Sequence, residues 1–161
     1  MALKTDSLAQ AVPYATHLWT AHVEVGQRQT LGQNKNGTRY LIPILGGSFT
    51  GAAGFETLSG TVISGGADRQ LIRPDGVKEL DALYDMRLSD GPIITVRNRV
   101  IVDKSRQPDR YAISVLTATV EAGIHDWLNR RMIIGTLDSL RPNQDRVIVT
   151  AWLMDRKRLG E

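Results

Sequence analysis

Tyr84 and Asn98 are the two side chains whose type and position point most directly to chemistry. Both fall on the apolar side of an alternating run. Tyr84 shares parity with Leu80, Ala82, Met86 and Leu88, and Asn98 with Ile94, Val96, Val100 and Val102. A phenol donates a hydrogen bond, and a carboxamide both donates and accepts. Buried, each must find a partner or destabilise the fold. Facing one another inside a fold, they would bind and polarise a ligand carbonyl or hydroxyl. The same two residues equally suit a structural pair that satisfies itself.

Asp68, Arg73 and Asp75 lie in turn-rich sequence at strand ends. Asp68 with Arg73 suits general acid–base work at the rim of a pocket, the guanidinium orienting the carboxylate. Asp75 would then help to bind substrate. Against this stands a local reading, in which aspartates in turns accept backbone N–H groups and Arg73 pairs with either carboxylate. Glu121, Trp127 and Asn129 cluster further along and form a second candidate binding group, with Trp127 as a pocket wall or a core filler. His17 and His22 fall on opposite faces of a regular strand, and His125 is remote. No metal spacing results, so no metal site is expected. The phosphate-cradling glycine motifs and the Gly-x-Ser-x-Gly elbow are absent, which predicts no nucleotide cofactor and no serine-hydrolase chemistry.

These residues need a scaffold, and the chain repeats one kind of element. Runs rich in β-branched residues alternate with Gly, Asp, Asn and Pro, the rhythm of an antiparallel sheet or barrel. The runs cover residues 16–25, 39–44, 58–64, 70–73, 77–88, 93–102, 111–121, 131–136 and 146–154. The stretch 26–37 is polar and ends in the turn signal Asn36-Gly37. Gly46, Gly47, Gly51 and Gly54 imply bends where the sheet curves. Over residues 77–88, a strand collects Glu79, Asp81, Asp85 and Arg87 on one face, whereas a helix would scatter them. A turn or a single helical turn is expected within 123–129. About nine strands and little or no helix therefore predict an all-β fold closed into an antiparallel barrel. Closure removes the edges that would otherwise pair with other chains.

With 161 residues the chain suits one domain over 1–161, with flexible ends over 1–14 and 156–161. It has no cysteine, which excludes disulfides, thiolate metal sites and a Cys nucleophile. Lys plus Arg is 20 against 17 for Asp plus Glu, with no basic stripe beyond Arg156, Lys157 and Arg158. Nucleic-acid binding is therefore not expected. There is no run of roughly eighteen apolar residues and no apolar segment near Lys4. Together these predict a cytoplasmic protein that does not engage membranes.

The blocks Ser64-Gly65-Gly66-Ala67-Asp68-Arg69-Gln70 and Ile72-Arg73-Pro74-Asp75-Gly76-Val77, with Glu79-Leu80-Asp81-Ala82 and Tyr84, resemble the DUF3237 (UPF0311) family. So do Ser89-Asp90-Gly91, Val96-Arg97-Asn98-Arg99 and Trp127-Leu128-Asn129-Arg130. The likeness covers roughly Thr16 to Val149. It implies a compact β-barrel that self-associates into a homo-oligomer, and it implies little about reaction. One stretch departs from it. Family members carry a run rich in aromatics and arginine before the Trp-Leu-Asn element, where this chain has Ile113-Ser114-Val115-Leu116-Thr117-Ala118-Thr119-Val120-Glu121. A pocket lined by that run would differ here in shape and polarity.

The expected function is a small-molecule-binding barrel acting as a cofactor-independent acid–base enzyme, an isomerase, cyclase, hydratase or lyase, on a small and mostly apolar organic substrate. In it Tyr84 and Asn98 polarise an oxygen, and Asp68 or Arg73 manages the proton or charge. Asp75, Glu121, Trp127 and Asn129 contribute to binding. The alternatives are a non-catalytic binding barrel and a purely structural oligomer subunit.

Overall fold

The computed structural model describes residues 10–106 and 108–159. Ten strands form one antiparallel sheet. They are β1 (Ala11–Val25), β2 (Gln29–Asn34), β3 (Gly37–Gly51), β4 (Gly60–Val62), β5 (Ala67–Ile72), β6 (Lys78–Leu88), β7 (Ile93–Asp103), β8 (Tyr111–Thr119), β9 (Ile133–Ser139) and β10 (Arg146–Arg158). A short 3-10 turn spans Asp126–Arg130.

The predicted barrel is present as a ring of eight strands. β1 closes it by pairing with β10 on one side and β3 on the other. The place between β3 and β6 is shared. β4 fills it opposite Gly47 to Phe49 and Met86 to Leu88, and β5 fills it opposite Thr38 to Pro43 and Lys78 to Leu83. The tally of ten exceeds the expected nine because β2 lies in the stretch read as a polar loop. Its sequence, Gln-Thr-Leu-Gly-Gln-Asn, is exposed along most of its length, so no apolar alternation marks it. Its hydrogen-bonded ladder to β3 defines it instead.

Two other expectations change. Of the ends expected to be flexible, residues 11–14 pair with residues 155–158 along β1 and β10, while residues 1–9, 160 and 161 lie outside the described residues. Lys157 Nζ sits 5.7 Å from the centre of the Tyr14 ring. A bulge between His17 and Trp19 shifts the register of β1 and leaves Leu18 and Trp19 both fully buried. Parity therefore breaks, and His17 shares the outer face with Thr20, to whose Oγ1 its Nε2 bonds at 2.9 Å. Among the described residues no three His, Cys, Asp or Glu side chains gather as a metal site would.

The interior has two halves. At one end Trp19 meets the edge of Phe49 at 6.3 Å, and Leu58, Met86, Leu88, Ile94, Leu116, Leu128 and Ile133 fill the space around them. The 3-10 turn covers this end. There buried His125 bonds Asp90 across 2.9 Å, and this contact holds the Asp90 carboxyl below its ordinary range. Toward the other end the lining changes to Val23, Val25, Ile42, Ile44, Val100, Val102 and Val149, and a cavity opens.

Candidate functional site

The cavity occupies about 290 Å³ inside the barrel. That places it near the lower end of the range of small-molecule sites, roughly 300–1,000 Å³. Strand register sets its polar wall. Asp68 on β5 lies opposite Ala82 on β6, and Ala82 lies opposite Asn98 on β7. Tyr84 is two residues along β6 on the same face, so it is the diagonal neighbour of both Asp68 and Asn98. Gln70, two residues from Asp68, faces the same space.

Tyr84 is 3% exposed and Asn98 1% exposed. The hydroxyl of Tyr84, Oδ1 of Asn98 and Oε1 of Gln70 are buried and have no hydrogen-bond partner among the described residues. Three such atoms on the wall of one cavity are unusual, because buried polar atoms are nearly always paired. Asp68 is better held. Its Oδ2 accepts from Gln70 Nε2 at 2.7 Å, and its Oδ1 accepts from the backbone N–H of Asp81 at 3.1 Å. Burial raises the Asp68 carboxyl above its ordinary value, against the lowering pull of Gln70 and of the Lys78 charge. Burial, and then the negative charge of Asp68, push the Tyr84 phenol well up. Tyr84 thus keeps its proton and can donate, while Asp68 is the group that can ionise and accept a proton.

Four cations border the same cavity: Arg28, Lys78, Arg110 and Arg141. Arg28 stacks on the Tyr40 ring with its guanidinium carbon 4.0 Å from the ring centre. Arg110 donates to the Leu137 carbonyl at 3.3 Å. Arg141 bonds the Gly26 carbonyl and pairs with Asp145 at 3.1 Å. Burial lowers the Lys78 ammonium, and the positive charges of Lys104, Arg28 and Arg110 lower it further against the opposing pull of Asp68.

The structure brings Tyr84, Asn98 and Asp68 together and leaves the other predicted residues outside the cavity. Arg73 and Asp75 pair with each other in the turn between β5 and β6, and Asp75 Oδ1 also accepts from the Val77 N–H at 3.1 Å. Asp68 is therefore oriented by Gln70 and not by Arg73. Turn chemistry over two residues outcompetes a contact reaching into the barrel. Glu121 is exposed beyond the end of β8. Trp127 is half-buried and packs on Phe55 at 6.0 Å, against the filled end. Asn129 Oδ1 accepts from the Val120 N–H at 2.9 Å, and its Nδ2 donates to the Val120 carbonyl at 2.8 Å. This side chain replaces a strand partner where β8 ends. Asn129→Ala is expected to cost about 2 kcal/mol, two ordinary hydrogen bonds, in urea denaturation, and to leave ligand affinity unchanged.

The comparisons agree with this architecture. A family described as "Protein of unknown function (DUF3237)" matches residues 13–154. The chain belongs to the DUF3237 family. A UPF0311 protein from Bradyrhizobium diazoefficiens is 38% identical over 85 residues, which is 53% of either chain. The chain thus spans about half the length of the curated relatives it matches. The crystal structure of a β-barrel-like protein from Acinetobacter baumannii superposes with a TM-score of 0.78 at 23% identity, covering 89% of this chain and 97% of that one. An enzyme from Penicillium herquei superposes at 0.69 with 23% identity, covering 89% and 95%.

Within this DUF3237 chain β8 and the residue after it turn Ser114, Leu116, Ala118 and Val120 inward. Leu116, Ala118 and Val120 join the main core, and Ser114 packs against Gly135, where an added Cβ would lie 2.1 Å from its Oγ. β8 adds no side chain to the cavity lining. The residues that sequence reading missed are Gln70 and the four cations. Two carried a signal. Gln70 shares parity with Asp68, and Lys78 shares parity with Leu80, Ala82 and Tyr84. Arg28, Arg110 and Arg141 come from connections between strands, where no periodicity operates.

Proposed function

We propose that this chain is a cofactor-independent acid–base enzyme acting on a small, mostly apolar organic molecule held inside the barrel, by isomerisation, cyclisation, hydration or elimination. The observation that supports this reading is the unpartnered Tyr84 hydroxyl beside Asn98 Oδ1 and Asp68 on one cavity wall. Tyr84 donates to a ligand oxygen and stabilises negative charge developing there. Asn98 orients the ligand by accepting from a hydroxyl or N–H. The Asp68 carboxylate takes a proton from the carbon next to the polarised group and returns it elsewhere, so no external acceptor is needed. The Penicillium herquei protein of similar fold is described as an enzyme, which supports catalysis as one use of this barrel.

A second reading, a non-catalytic binding protein, draws on the aliphatic remainder of the wall, Val23, Ile42, Ile44, Leu80, Val100 and Val149. Proton exchange separates the two. Small cyclic ketones are incubated with the protein in D₂O and followed by NMR. The enzyme reading expects catalysed deuterium uptake next to the carbonyl that Tyr84→Phe slows at least about tenfold. The same variant is expected to match or exceed the wild type in stability by up to about 1 kcal/mol, because it deletes a buried hydroxyl that bonds to no other described residue. Ligands that bind in the cavity and never exchange would instead support the binding protein.

A further inference from the structure

The mouth of the cavity carries more positive charge than the fold can use. Of the four cations bordering it, only Arg141 has a carboxylate partner among the described residues, Asp145. Arg28 rests on an aromatic ring and Arg110 on a backbone carbonyl, neither of which neutralises a charge. Lys78 forms no ion pair among the described residues. The one acid on the cavity wall, Asp68, already accepts from Gln70 and from the Asp81 N–H.

Lys78 is the telling member of this group. It begins β6 with the parity of Leu80, Ala82 and Tyr84, so the strand points it toward the interior. An inward, half-buried ammonium with Lys104, Arg28 and Arg110 as like charges around it and Asp68 as the opposing charge costs stability unless something compensates it further. A leucine or methionine there would suit the barrel better. Natural chains tolerate such a conflict where a ligand resolves it.

We propose that the molecule taken into the barrel is an amphiphilic monoanion, a compact apolar body carrying one carboxylate. The head sits at the mouth between Lys78, Arg28 and Arg110, and the body lies along the aliphatic wall with a second oxygen toward Tyr84. This rests on the reading of the cavity as the ligand site and narrows the ligand it takes. Lys78 and Arg110 select the charge. Tyr84 and Asn98 meet the neutral end.

Matched probes test it. 2-Naphthoate and 2-naphthamide have the same body and differ in head charge. Titration calorimetry of the whole chain should show naphthoate binding at least about tenfold more tightly than naphthamide, with affinity falling as salt rises. Lys78→Met should abolish that preference by weakening naphthoate at least about tenfold more than naphthamide, and equal or raise the urea midpoint. Arg28→Gln, at an exposed loop position, should weaken naphthoate more than naphthamide and serves if Lys78→Met does not fold. Equal affinity of the two probes for the wild type would overturn the anionic head while leaving the cavity as a ligand site. If both bind equally in wild type and in a cavity-filling Val100→Phe variant, the cavity is not the site, and the present proposal falls with it.

Discussion

Asp68→Asn is expected to lower proton-transfer turnover by about 10²- to 10⁴-fold, the usual contribution of a positioned general base, with the barrel still folded. The geometry makes the substitution nearly isosteric. The new carboxamide would keep one oxygen to accept from the Asp81 N–H, and its amide nitrogen would meet the Gln70 side chain. Gln70 Oε1 has no hydrogen-bond partner among the described residues, so turning that amide lets it accept where Nε2 now donates. The fold therefore loses little. Stability should even depend less on pH. Burial raises the folded-state pKa of Asp68, so the folded chain holds this proton more tightly than the unfolded chain. The unfolded chain releases it first as pH rises through the ordinary aspartate value. Wild-type stability then falls between that value and the raised folded one, and levels off above it. The variant lacks this loss, so its stability relative to wild type should climb through the same window. Urea denaturation at several pH values reads the stability effect, and deuterium exchange reads turnover. An Asp68→Asn variant that exchanges ketone protons at the wild-type rate would remove Asp68 from the mechanism.

Gly47→Ala is expected to destabilise the barrel by about 3 kcal/mol or more, by backbone strain and overpacking together. Gly47 sits in the ring between Val23 of β1 and Val62 of β4. Its φ is +134°, and an added Cβ would lie 2.0 Å from the His22 carbonyl oxygen. Backbone cannot retreat there without opening the β1–β3 seam that closes the barrel. A loss of this size is a large share of the total for an ordinary domain, about 5–15 kcal/mol. Gly54→Ala supplies the control. Gly54 also has positive φ, +87°, but an added Cβ there would meet nothing within 4 Å. Its cost should be about 1 kcal/mol, conformational strain alone. Urea midpoints measure both, and equal losses would show that the close approach at Gly47 is not what matters.

What could be read from the residues, and what could not, follows the range of the interactions involved. β6 and β7 bury one face and expose the other, so parity placed Tyr84 and Asn98 inside correctly. β2 buries neither face, and only its pairing with β3 makes it a strand. The bulge at Leu18 is invisible because Leu18 and Trp19 are both apolar, so either of them could take the inward position of a regular strand. Arg73 and Asp75 were candidates for the site because residue type suggested it. Their closeness in the chain decides their contact, and that contact lies outside the cavity. Lys78 was the opposite case. Its parity was correct for the interior, but its charge disguised it as surface.

A sheet filled with side chains at one end and hollow at the other is two materials in one wall. The filled end, around Trp19 and Phe49, is close to incompressible, as packed interiors are. The hollow end takes its volume from its contents, and hydrostatic pressure acts on such space first, because unfolding under pressure is driven by the elimination of internal voids. Pressure should therefore loosen the strands around Asp68 and Lys78 before those around Met86 and Ile94. A ligand seated inside would stiffen the soft end until the two behave alike.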